Sequence, residues 1–573
     1  MEYLNFFTSE KIDDRLYIIT EGYSMIHRMT LGLVLGDEKN MLIDTGMAMT
    51  DDLRRVAARI AGNEKPMICV CTHLHPDHIS GAILLDEAYC SHFDYPKNAA
   101  FAFSASERIG DLEELCLHNE EVKAYCGRHM VQKTERYFED VKDGDIFDLG
   151  GITVEAIGMP GHTEGSMAFY IPSLGHVFTG DAVNTDTHLT RMGRPEYAAY
   201  RDTLRRFISI VSDDVVLHPA HMYLPMDISV AKNLAQACDD IANGRVANDP
   251  PGDTMFAYRN LKKPNTPDMY IHYVGNTGVT YDLKRTENAP HTGIYNFYSH
   301  EQVAENIYIV TENFSVVHHF TIGVITGPEN TIVIDAGMGM SEGLREHIES
   351  FAGKDNPILC LLTNGSMEHI GGMSQFDRVY LSAGDQDLIR TSADPEKRFS
   401  ALCDYALYEP RTEQYCKEHM LKADGLIPEE VHDGDTFTTG VVSVRVLSFP
   451  GCTPGSMLYI IPERNIVFTG DAVNVFTNLE KLTSQEIGAY ADRLEQLIKI
   501  VGEETTFFAF HTNRPQKVDI IKKLTLACRE VSTGLTEGDP PGETIFGKGE
   551  NKHSRRLHYH NNCCIIYKIP TNL

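Results

Sequence analysis

The sequence Thr72-His73-Leu74-His75-Pro76-Asp77-His78 places three imidazoles and one carboxylate within six residues. Polar groups at this density are costly to bury unless they bind a metal ion. The stretch directly follows residues 66–71 (Pro-Met-Ile-Cys-Val-Cys), an apolar, β-prone segment that is typical of a buried strand. Because a strand fixes the position of the loop that follows it, this arrangement predicts a metal-binding loop at a strand end.

The chain carries the same pattern twice. Residues 178–184 (Phe-Thr-Gly-Asp-Ala-Val-Asn) recur unchanged at 468–474, an offset of 290 residues. This period is far above that of solenoid repeats, and 573 residues are too many for one hydrophobic core, so a whole domain is duplicated. We predict one domain over residues 1–285 and a second over 290–573, with the boundary in the polar stretch 283–295.

Each half alternates predicted strands with predicted helices. Strands are predicted at 16–20, 31–35 and 41–43. Residues 52–61 predict a helix, because Leu53, Val56 and Ile60 share one face and Gly62 ends the pattern. Strands that carry loops with candidate ligands, and helices outside them, predict an α/β sandwich in each half.

A long segment, at about residues 95–142, predicts a helical insertion in the first domain, with 107–141 polar and helical. Its apolar residues at helix-like spacing are Leu112, Leu115, Val122 and Tyr125. Such a long connection is typical of a cap near a functional site. A helical pair that simply covers the sheet is the alternative.

Three further loops add candidate ligands, each at the end of a predicted strand. The candidates are His162 on a Pro-Gly turn, Asp181 in a Thr-Gly-Asp sequence, and His221. We choose His221 over the neighbouring His218 because the repeat retains a histidine, His511, opposite the first and has Phe508 opposite the second. One sheet edge could therefore bring these side chains together.

Taken together, these motifs resemble the metallo-β-lactamase superfamily, in particular its dinuclear hydrolase branch that includes glyoxalase II and lactonases. The His-x-His-x-Asp-His run, the Pro-Gly-His-Thr turn, the Thr-Gly-Asp carboxylate and the final histidine match in kind and in order. The resemblance covers essentially the whole first half and, more loosely, the second. It implies two tandem αββα sandwiches with the metals at one sheet edge.

The resemblance also implies a ligand set for two metal ions. By position, one ion would take His73, His75 and His162, and the other Asp77, His78 and His221. Asp181 would bridge both ions, and the Asp44 carboxylate would lie beneath the site and orient a ligand. Imidazole and carboxylate ligands without thiolate favour two zinc ions in the first half, although iron and manganese remain compatible.

The second half has lost much of this set. His73, His75, Asp77 and His162 are replaced by Asn364, Ser366, Glu368 and Cys452. Glu368, His369, Asp471 and His511 still match the second-metal set, so one weakly held metal is an alternative there. We favour an inert relic held by hydrogen bonds, because one metal cannot use a two-metal mechanism. The second half is then a non-catalytic module, expected to pack on the first as an intramolecular pseudo-dimer; any higher oligomer stays open.

Several residues are candidates for catalysis or substrate contact. Asp77 would orient the attacking hydroxide, His188 could donate a proton to a leaving group, and Tyr223 could reach the pocket. Candidate substrate contacts, which differ between the halves, are Arg191, Arg194 and Tyr197. Drift on a variable loop explains these differences equally well.

The bulk composition limits the partners. A formal net charge of -30 disfavours nucleic acid and anionic membrane surfaces, since both need basic patches. No apolar stretch has the length of a membrane-spanning helix, and the N-terminal segment does not have the pattern of a signal peptide. Thirteen cysteines without framework spacing indicate a reducing compartment. We expect a cytoplasmic protein with a small-molecule substrate and without a nucleic-acid or membrane partner.

The leading hypothesis is a zinc-dependent hydrolase that attacks a small acyl substrate (a thioester, lactone, ester or amide) with a metal-bridging hydroxide. An iron-dependent oxygenase or redox protein on the same fold is one alternative, although no flavodoxin-like domain accompanies it. A phosphodiesterase is a weaker one, because the chain is acidic and lacks an evident basic insert. A metal-stabilised scaffold suits the second half better than the first.

Overall fold

A computed structural model describes residues 4–23, 28–95, 100–101, 103–108, 120–222, 224–252, 268–289, 293–315, 318–405, 409–423, 426–512, 514–541 and 555–569. The chain divides into two compact units. The first unit is Met1–Ala247, Thr266–His291 and Pro540–Thr544, and the second is Asn248–Asn265, Thr292–Asp539 and Ile545–Leu573.

The first unit contains strands β1–β17 and helices α1–α6. The strands are β1 Phe7–Asp13, β2 Leu16–Gly22, β3 Arg28–Leu35, β4 Asn40–Ile43, β5 Met67–Val70, β6 Glu87–Cys90, β7 Ala100–Phe101, β8 Arg136–Tyr137, β9 Glu139–Asp140, β10 Ile146–Asp148, β11 Thr153–Gly158, β12 Met167–Ile171, β13 His176–Gly180, β14 Asp186–His188, β15 Val216–Pro219, β16 Met269–Val274 and β17 Thr277–Asp282. The helices are α1 Asp52–Ala61, α2 Pro76–Ile79, α3 Glu120–His129, α4 Arg194–Ile210, α5 Ser229–Ala242 and α6 Leu283–Thr286, with a 3-10 turn at Ser80–Leu84.

Two sheets form the sandwich of the first unit. One has the strand order β1-β2-β3-β4-β5-β6-β9 and the other β10-β11-β12-β13-β15, and the small sheet β14-β17-β16 and the pair β7-β8 lie outside them. Aliphatic and aromatic side chains from both main sheets form a buried cluster that includes Ile43, Val70 and Phe169. The sheets approach closely at Gly32, where a Cβ would lie 2.5 Å from the Phe178 ring of the opposite sheet.

The local predictions around the first ligand loop are confirmed. Helix α1 spans the predicted residues and ends at Gly62, which has φ 75° and donates its N–H to the Ala58 carbonyl. Strand β5 is buried on both faces, since Cys69 packs in one apolar cluster and Ile68 in another. Burial on both faces explains why the sequence is apolar without alternation.

The prediction that residues 107–141 are helical is wrong in its C-terminal part. Helix α3 ends at His129, and β8 and β9 follow, with β9 pairing parallel to β6 at the sheet edge. Tyr137 is exposed and Phe138 is buried, so this stretch alternates like a strand. Val122 and Tyr125 pack in the same cluster as the sheet residue Cys69, which supports a covering role; Leu112 and Leu115 lie outside the described residues.

The second unit repeats this architecture with strands β18–β33 and helices α7–α13. The strands are β18 Tyr298–Ala304, β19 Ile307–Ser315, β20 His318–Ile325, β21 Thr331–Ile334, β22 Ile358–Leu361, β23 Arg378–Ser382, β24 Glu429–Val431, β25 Thr436–Thr438, β26 Ser443–Ser448, β27 Met457–Ile461, β28 Ile466–Gly470, β29 Phe476–Asn478, β30 Thr506–Ala509, β31 Gln516–Lys517, β32 Arg555–His560 and β33 Cys563–Lys568. The helices are α7 Gly343–Ala352, α8 Met367–Ile370, α9 Gln386–Ser392, α10 Pro395–Tyr405, α11 Pro410–His419, α12 Ser484–Val501 and α13 Val518–Ser532. Short 3-10 turns lie at Met373–Gln375, Ala383–Asp385 and Pro462–Arg464.

The sheet orders of the second unit are β18-β19-β20-β21-β22-β23-β24, β25-β26-β27-β28-β30-β31 and β29-β33-β32. The first and last of these match the corresponding sheets of the first unit strand for strand, and the middle one gains the edge strand β31. Among the helices described in either unit, none is both long and apolar enough to cross a lipid bilayer.

Candidate metal centre

The first unit brings all seven predicted ligands together at the ends of its strands. Strand β5 leads into the loop with His73 and His75, and helix α2 then carries Asp77 and His78 in a single turn. His162 follows β11, Asp181 directly follows β13, and His221 follows β15. These strand ends come from both sheets of the sandwich, so the centre exists only in the folded unit.

The first ligand group consists of His73, His75, His162 and Asp181, whose ligand atoms all lie within 4.8 Å of one another. His75 Nδ1 lies 2.8 Å from His73 Nε2 and 3.2 Å from His162 Nε2. Asp181 Oδ2 lies 3.8 Å from the ring nitrogen of His73 and 3.6 Å from that of His162. Three ring nitrogens and a carboxylate oxygen thus converge on one point.

The second group consists of Asp77, His78 and His221. His221 Nε2 lies 3.3 Å from Asp77 Oδ2 and 3.3 Å from Asp181 Oδ1. His78 Nε2 lies 3.7 Å from Asp77 Oδ2 and 3.6 Å from Asp181 Oδ2. The two oxygens of Asp181 therefore face both groups, as a bridging carboxylate must.

A buried carboxylate orients this centre from beneath. Asp44 has a left-handed backbone (φ 60°), and its Oδ1 accepts the Thr72 N–H at 2.7 Å. Its Oδ2 accepts the Thr72 hydroxyl at 2.9 Å and lies 2.9 Å from His78 Nδ1. Since a carboxylate only accepts hydrogen bonds, His78 carries a proton on Nδ1, and a metal bound in the centre would take the lone pair of Nε2.

Burial sets the protonation of the first ligand group. Burial, together with the neighbouring imidazoles of His78 and His162, lowers the pKa of His73 well below its usual value. Burial likewise lowers the pKa of His75, and it lowers the pKa of His162 to about 4. These rings are neutral at pH 7, which is the form in which histidine binds metals.

The second group has the opposite electrostatics. Burial lowers the pKa of His221, but the carboxylates of Asp181 and Asp77 outweigh it and raise this pKa to about 10. Burial raises the pKa of Asp181, yet the imidazoles of His221 and His78 hold it well below its usual range. The raised pKa of His221 shows how strongly these two buried carboxylates favour a positive charge beside them.

The surroundings of one buried atom, His78 Nε2, show whether these residues fit a cation. Within the described part of the chain, His78 Nε2 is buried and has no hydrogen-bond partner. Its distances of 3.6 and 3.7 Å to the two carboxylates are too long for hydrogen bonds. A buried ring nitrogen that faces carboxylate oxygens at these distances fits a cation between them, so the residues suit metal ions.

Comparison with known proteins agrees with this geometry. The profile of the metallo-β-lactamase superfamily matches residues 30–221 and 321–500. The chain belongs to the metallo-β-lactamase superfamily. The two matched ranges fit the predicted pair of tandem α/β sandwiches of this type.

Curated members of the superfamily include similar thioesterases. Acyl-coenzyme A thioesterase MBLAC2 of Bos taurus is 26% identical over 217 residues, which cover 36% of this chain and 77% of the relative. The Homo sapiens protein of the same name is 26% identical over 218 residues, with the same coverage. Atrochrysone carboxyl ACP thioesterase of Aspergillus chevalieri is 26% identical over 152 residues, or 26% of this chain and 39% of that protein. These relatives and the family membership identify the protein as a hydrolase.

Among solved structures, a metallo-β-lactamase from Pontibacter korlensis is similar, at 14% identity and a TM-score of 0.30. The alignment covers 40% of this chain and 99% of that one.

The remaining candidate catalytic and substrate-contact residues that the structure describes are not gathered at the centre in the way that the seven candidate ligands are. His188 lies at the end of β14 and makes a small contribution to the lowered pKa of His162. Tyr223 lies outside the described residues. Arg191 is exposed, and the exposed Arg194 donates from Nε to Asn288 Oδ1 at 2.9 Å.

Tyr197 is not a substrate contact as predicted. It lies in the first turn of α4 with its ring fully buried, and its hydroxyl donates to the Leu189 carbonyl at 2.8 Å. A hydroxyl committed to a buried backbone carbonyl is structural. Sequence reasoning also overlooked Thr72 and Asp94, two buttressing residues that the repeat retains as Thr363 and Asp385 and that self-comparison could have found.

In the second unit of this superfamily member, the corresponding centre is rebuilt by hydrogen bonds. His369 Nδ1 lies 3.0 Å from Asp335 Oδ2, and its Nε2 lies 3.1 Å from Asp471 Oδ2. The Asn364 amide donates to the same Asp471 oxygen at 3.2 Å. Burial lowers the pKa of His369, but the carboxylates of Asp335 and Asp471 raise it well above its usual value. A protonated imidazole thus balances these two carboxylates.

Two phenylalanines complete the change. Phe510, which replaces Ala220, stacks on the His369 ring with centroids 3.7 Å apart, and Phe320 stacks on Phe510 at 5.2 Å. Glu368, His369, Asp471 and His511 still lie within 4.8 Å of one another through their ligand atoms. His78 Nε2 has no hydrogen-bond partner in the first unit. The equivalent atom of the second unit, His369 Nε2, is hydrogen-bonded to Asp471. This geometry favours the relic held by hydrogen bonds.

Proposed function

We propose that the first unit is a dinuclear zinc hydrolase of a small acyl substrate, with thioesters as the first class to test. The observation that carries the proposal is Asp181, whose Oδ2 faces His73, His78 and His162 while its Oδ1 faces His221. One carboxylate shared between two groups of ligand atoms is the arrangement that two cations need.

Each group of residues would have a distinct task. One ion would be held by His73, His75 and His162, and the other by Asp77, His78 and His221. Asp181 would bind both ions. When bound, the two ions would polarise the acyl carbonyl and make water acidic enough to act as the nucleophile near neutral pH. The Asp77 carboxylate, 3.3 Å from His221 Nε2, would accept a hydrogen bond from that water and fix its direction of attack.

Zinc is proposed because the described ligand atoms are imidazole nitrogens and carboxylate oxygens, a set that suits it. Iron, with oxygenase or redox chemistry, is the competing assignment for the same ligands. Metal analysis of the purified full-length chain separates the two. About two zinc per chain supports the proposal, whereas two iron per chain with substrate-dependent oxygen uptake overturns it.

Thioesters come first because relatives in three species are named acyl-coenzyme A thioesterases. A thiolate, with a pKa near 8.5, leaves without protonation far more readily than an alkoxide. We therefore assign His188 to the leaving group and expect His188→Ala to slow hydrolysis of an oxygen ester more than hydrolysis of the thioester with the same acyl chain. Equal slowing of both substrates would contradict this role.

The decisive assay uses the zinc-loaded full chain with acyl-coenzyme A thioesters of several chain lengths, followed by the release of free thiol. Lactones, oxygen esters, amides and a generic phosphodiester are run in parallel. Turnover of an acyl substrate supports the proposal. Turnover of the phosphodiester alone would instead establish a phosphodiesterase.

Matched variants locate the activity in one unit. His75→Ala with Asp77→Asn removes a ligand from each group, and the aligned pair Ser366→Ala with Glu368→Gln makes the corresponding change in the second unit. We expect the first pair to abolish turnover and the second pair to leave it at the wild-type rate. Activity that survives the first pair would refute the assignment.

The second unit is proposed as a non-catalytic module whose altered centre binds no metal. Support comes from the Asn364 amide and the His369 ring, which already bond to Oδ2 of Asp471. The boundaries 1–285 and 290–573, and the pairing of the halves as an intramolecular pseudo-dimer, remain predictions from the repeat.

A further inference from the structure

A carboxylate outside the ligand set joins the two loops that carry the first ligand group. Asp94 lies in the loop after β6. Its Oδ2 accepts the backbone N–H of Leu74 at 3.0 Å and the hydroxyl of Thr163 at 2.9 Å. Its Oδ1 accepts the backbone N–H of Gly165 at 2.7 Å. A single side chain therefore ties the loop after β5 to the turn after β11.

The residues that bond to Asp94 are direct neighbours of the candidate ligands in the sequence. Leu74 lies between His73 and His75 in the chain, and Thr163 directly follows His162. All three histidines of the first group are thus one residue away from a hydrogen bond to Asp94. The distances of 2.8 and 3.2 Å from His75 Nδ1 to the other two rings depend on the spacing that this carboxylate sets.

The Asp94 carboxylate packs closely against the turn at Gly165. A Cβ on Gly165 would lie 2.6 Å from the Asp94 carboxyl carbon, so a glycine is needed for the turn to approach so closely. Hydrogen bonds to an ionised carboxylate are about twice as strong as those between neutral groups. The link is therefore short and stiff.

The second unit contains the same link without the histidines. Asp385 accepts the Gly365 N–H at 2.9 Å, the Thr453 hydroxyl at 2.7 Å and the Gly455 N–H at 2.8 Å. The flanking ligand positions there are Asn364, Ser366 and Cys452. The chain thus provides a matched control, in which the same three hydrogen bonds hold loops that lack the first ligand group.

We propose that Asp94 is a positioning residue, which fixes the distance between the loop of His73 and His75 and the turn of His162 and so preorganises the first metal site. This inference rests on the proposed function only in taking those histidines as ligands. Asp94 is outside both groups of candidate ligands and acts through two backbone N–H groups and the Thr163 hydroxyl of the ligand loops. Partners of this kind typically change metal affinity about 10–100-fold.

The test compares Asp94→Asn with Asp385→Asn in the full-length chain. An asparagine keeps one acceptor oxygen but turns an NH2 group towards a donor, which breaks part of the link. Zinc affinity is measured by competition with a chelating fluorophore, and thermal unfolding is followed without and with zinc. We expect Asp94→Asn to weaken the binding of one zinc about 10-fold or more. Asp385→Asn should leave zinc affinity unchanged while lowering the stability of the metal-free chain to a similar extent.

Two results would overturn the inference: unchanged zinc affinity in folded Asp94→Asn, or an equal loss of affinity in Asp385→Asn, which would mark a general effect of lost stability. If Asp94→Asn does not fold, Thr163→Val removes only one donor and should still lower zinc affinity, whereas its counterpart Thr453→Val should not. Equal affinity in this second pair also refutes the role. A wild-type chain that binds two zinc but hydrolyses no acyl substrate would refute the proposed function alone, because the affinity comparison does not use activity.

Discussion

The substitution Asp44→Asn should convert the proposed two-metal centre into a one-metal centre without unfolding the unit. Asp44 accepts the Thr72 N–H and hydroxyl and holds the proton of His78 on Nδ1. An asparagine fits the left-handed backbone at this position as readily as aspartate does. Its carbonyl oxygen can keep the Thr72 hydrogen bonds, so its NH2 group then faces His78 Nδ1.

This change reverses the tautomer of His78. A ring nitrogen that faces an NH2 donor must accept, so the proton moves to Nε2, the atom that points at the centre. A protonated nitrogen cannot bind a metal. Loss of such a partner typically lowers metal affinity about 10–100-fold, which corresponds to about 1.4–2.7 kcal/mol of binding free energy. We expect the loss at the site of Asp77, His78 and His221.

The assay is the zinc content per chain, measured by mass spectrometry after dialysis against a series of buffered free-zinc concentrations. Wild type should hold two zinc where Asp44→Asn holds one. The control is Asp335→Asn, which makes the same change beneath His369 in the second unit, where the backbone is also left-handed. It should reproduce the wild-type zinc curve. Two zinc bound at wild-type affinity in folded Asp44→Asn would refute the reasoning about the tautomer.

Two further predictions concern the second unit. Burial raises the pKa of Glu312 from 4.5 to about 7, so the folded protein prefers the protonated side chain. This preference contributes about 3 kcal/mol of stability below pH 4.5. The contribution is lost as the pH rises from 4.5 to 7. Glu312→Gln should therefore gain stability relative to wild type between pH 4.5 and 7 in urea unfolding, and parallel pH profiles would contradict this. His369→Ala leaves Asp335 and Asp471 buried without their cation, and it should cost about 3–5 kcal/mol of unfolding free energy while the zinc content stays that of wild type. A loss of bound zinc in His369→Ala would show that the second unit holds a metal.

The local elements could be predicted because their causes are local. The apolar face of α1 and its terminal Gly62 set that helix, and the apolar run before Thr72 set β5. The stretch 130–141 could not be predicted in this way, because its strand β9 exists through pairing with β6 across the sheet edge. Long polar segments with scattered apolar residues suit a helix and an edge strand almost equally well.

The candidate residues beyond the ligands show the same limit. Arg194 and Tyr197 are candidates because they follow Asp181 in the chain and differ from the residues at the same positions of the second half. The fold turned Tyr197 inward to the Leu189 carbonyl and Arg194 towards Asn288. The spacing of Tyr197, Tyr200, Leu204 and Phe207 along α4 marks a buried face and could have placed Tyr197 in the core, whereas the partner of Arg194 comes from a distant part of the chain.

The sequence by itself determined the make-up of the candidate metal centre: the duplication, the types and order of the candidate ligands, and the loss of His73, His75 and His162 from the second copy. These features depend only on residue identity and spacing along the chain. The tertiary structure decided which atoms meet, because the ligands come from loops far apart in the chain and on two sheets. It decided that Asp181 faces both candidate ligand groups, that Asp94 ties two loops of the centre together, and that Asn364 and His369 bond to Oδ2 of Asp471 in the second unit. These are distances of a few ångströms between residues about 20 to 150 positions apart, and only packing sets them.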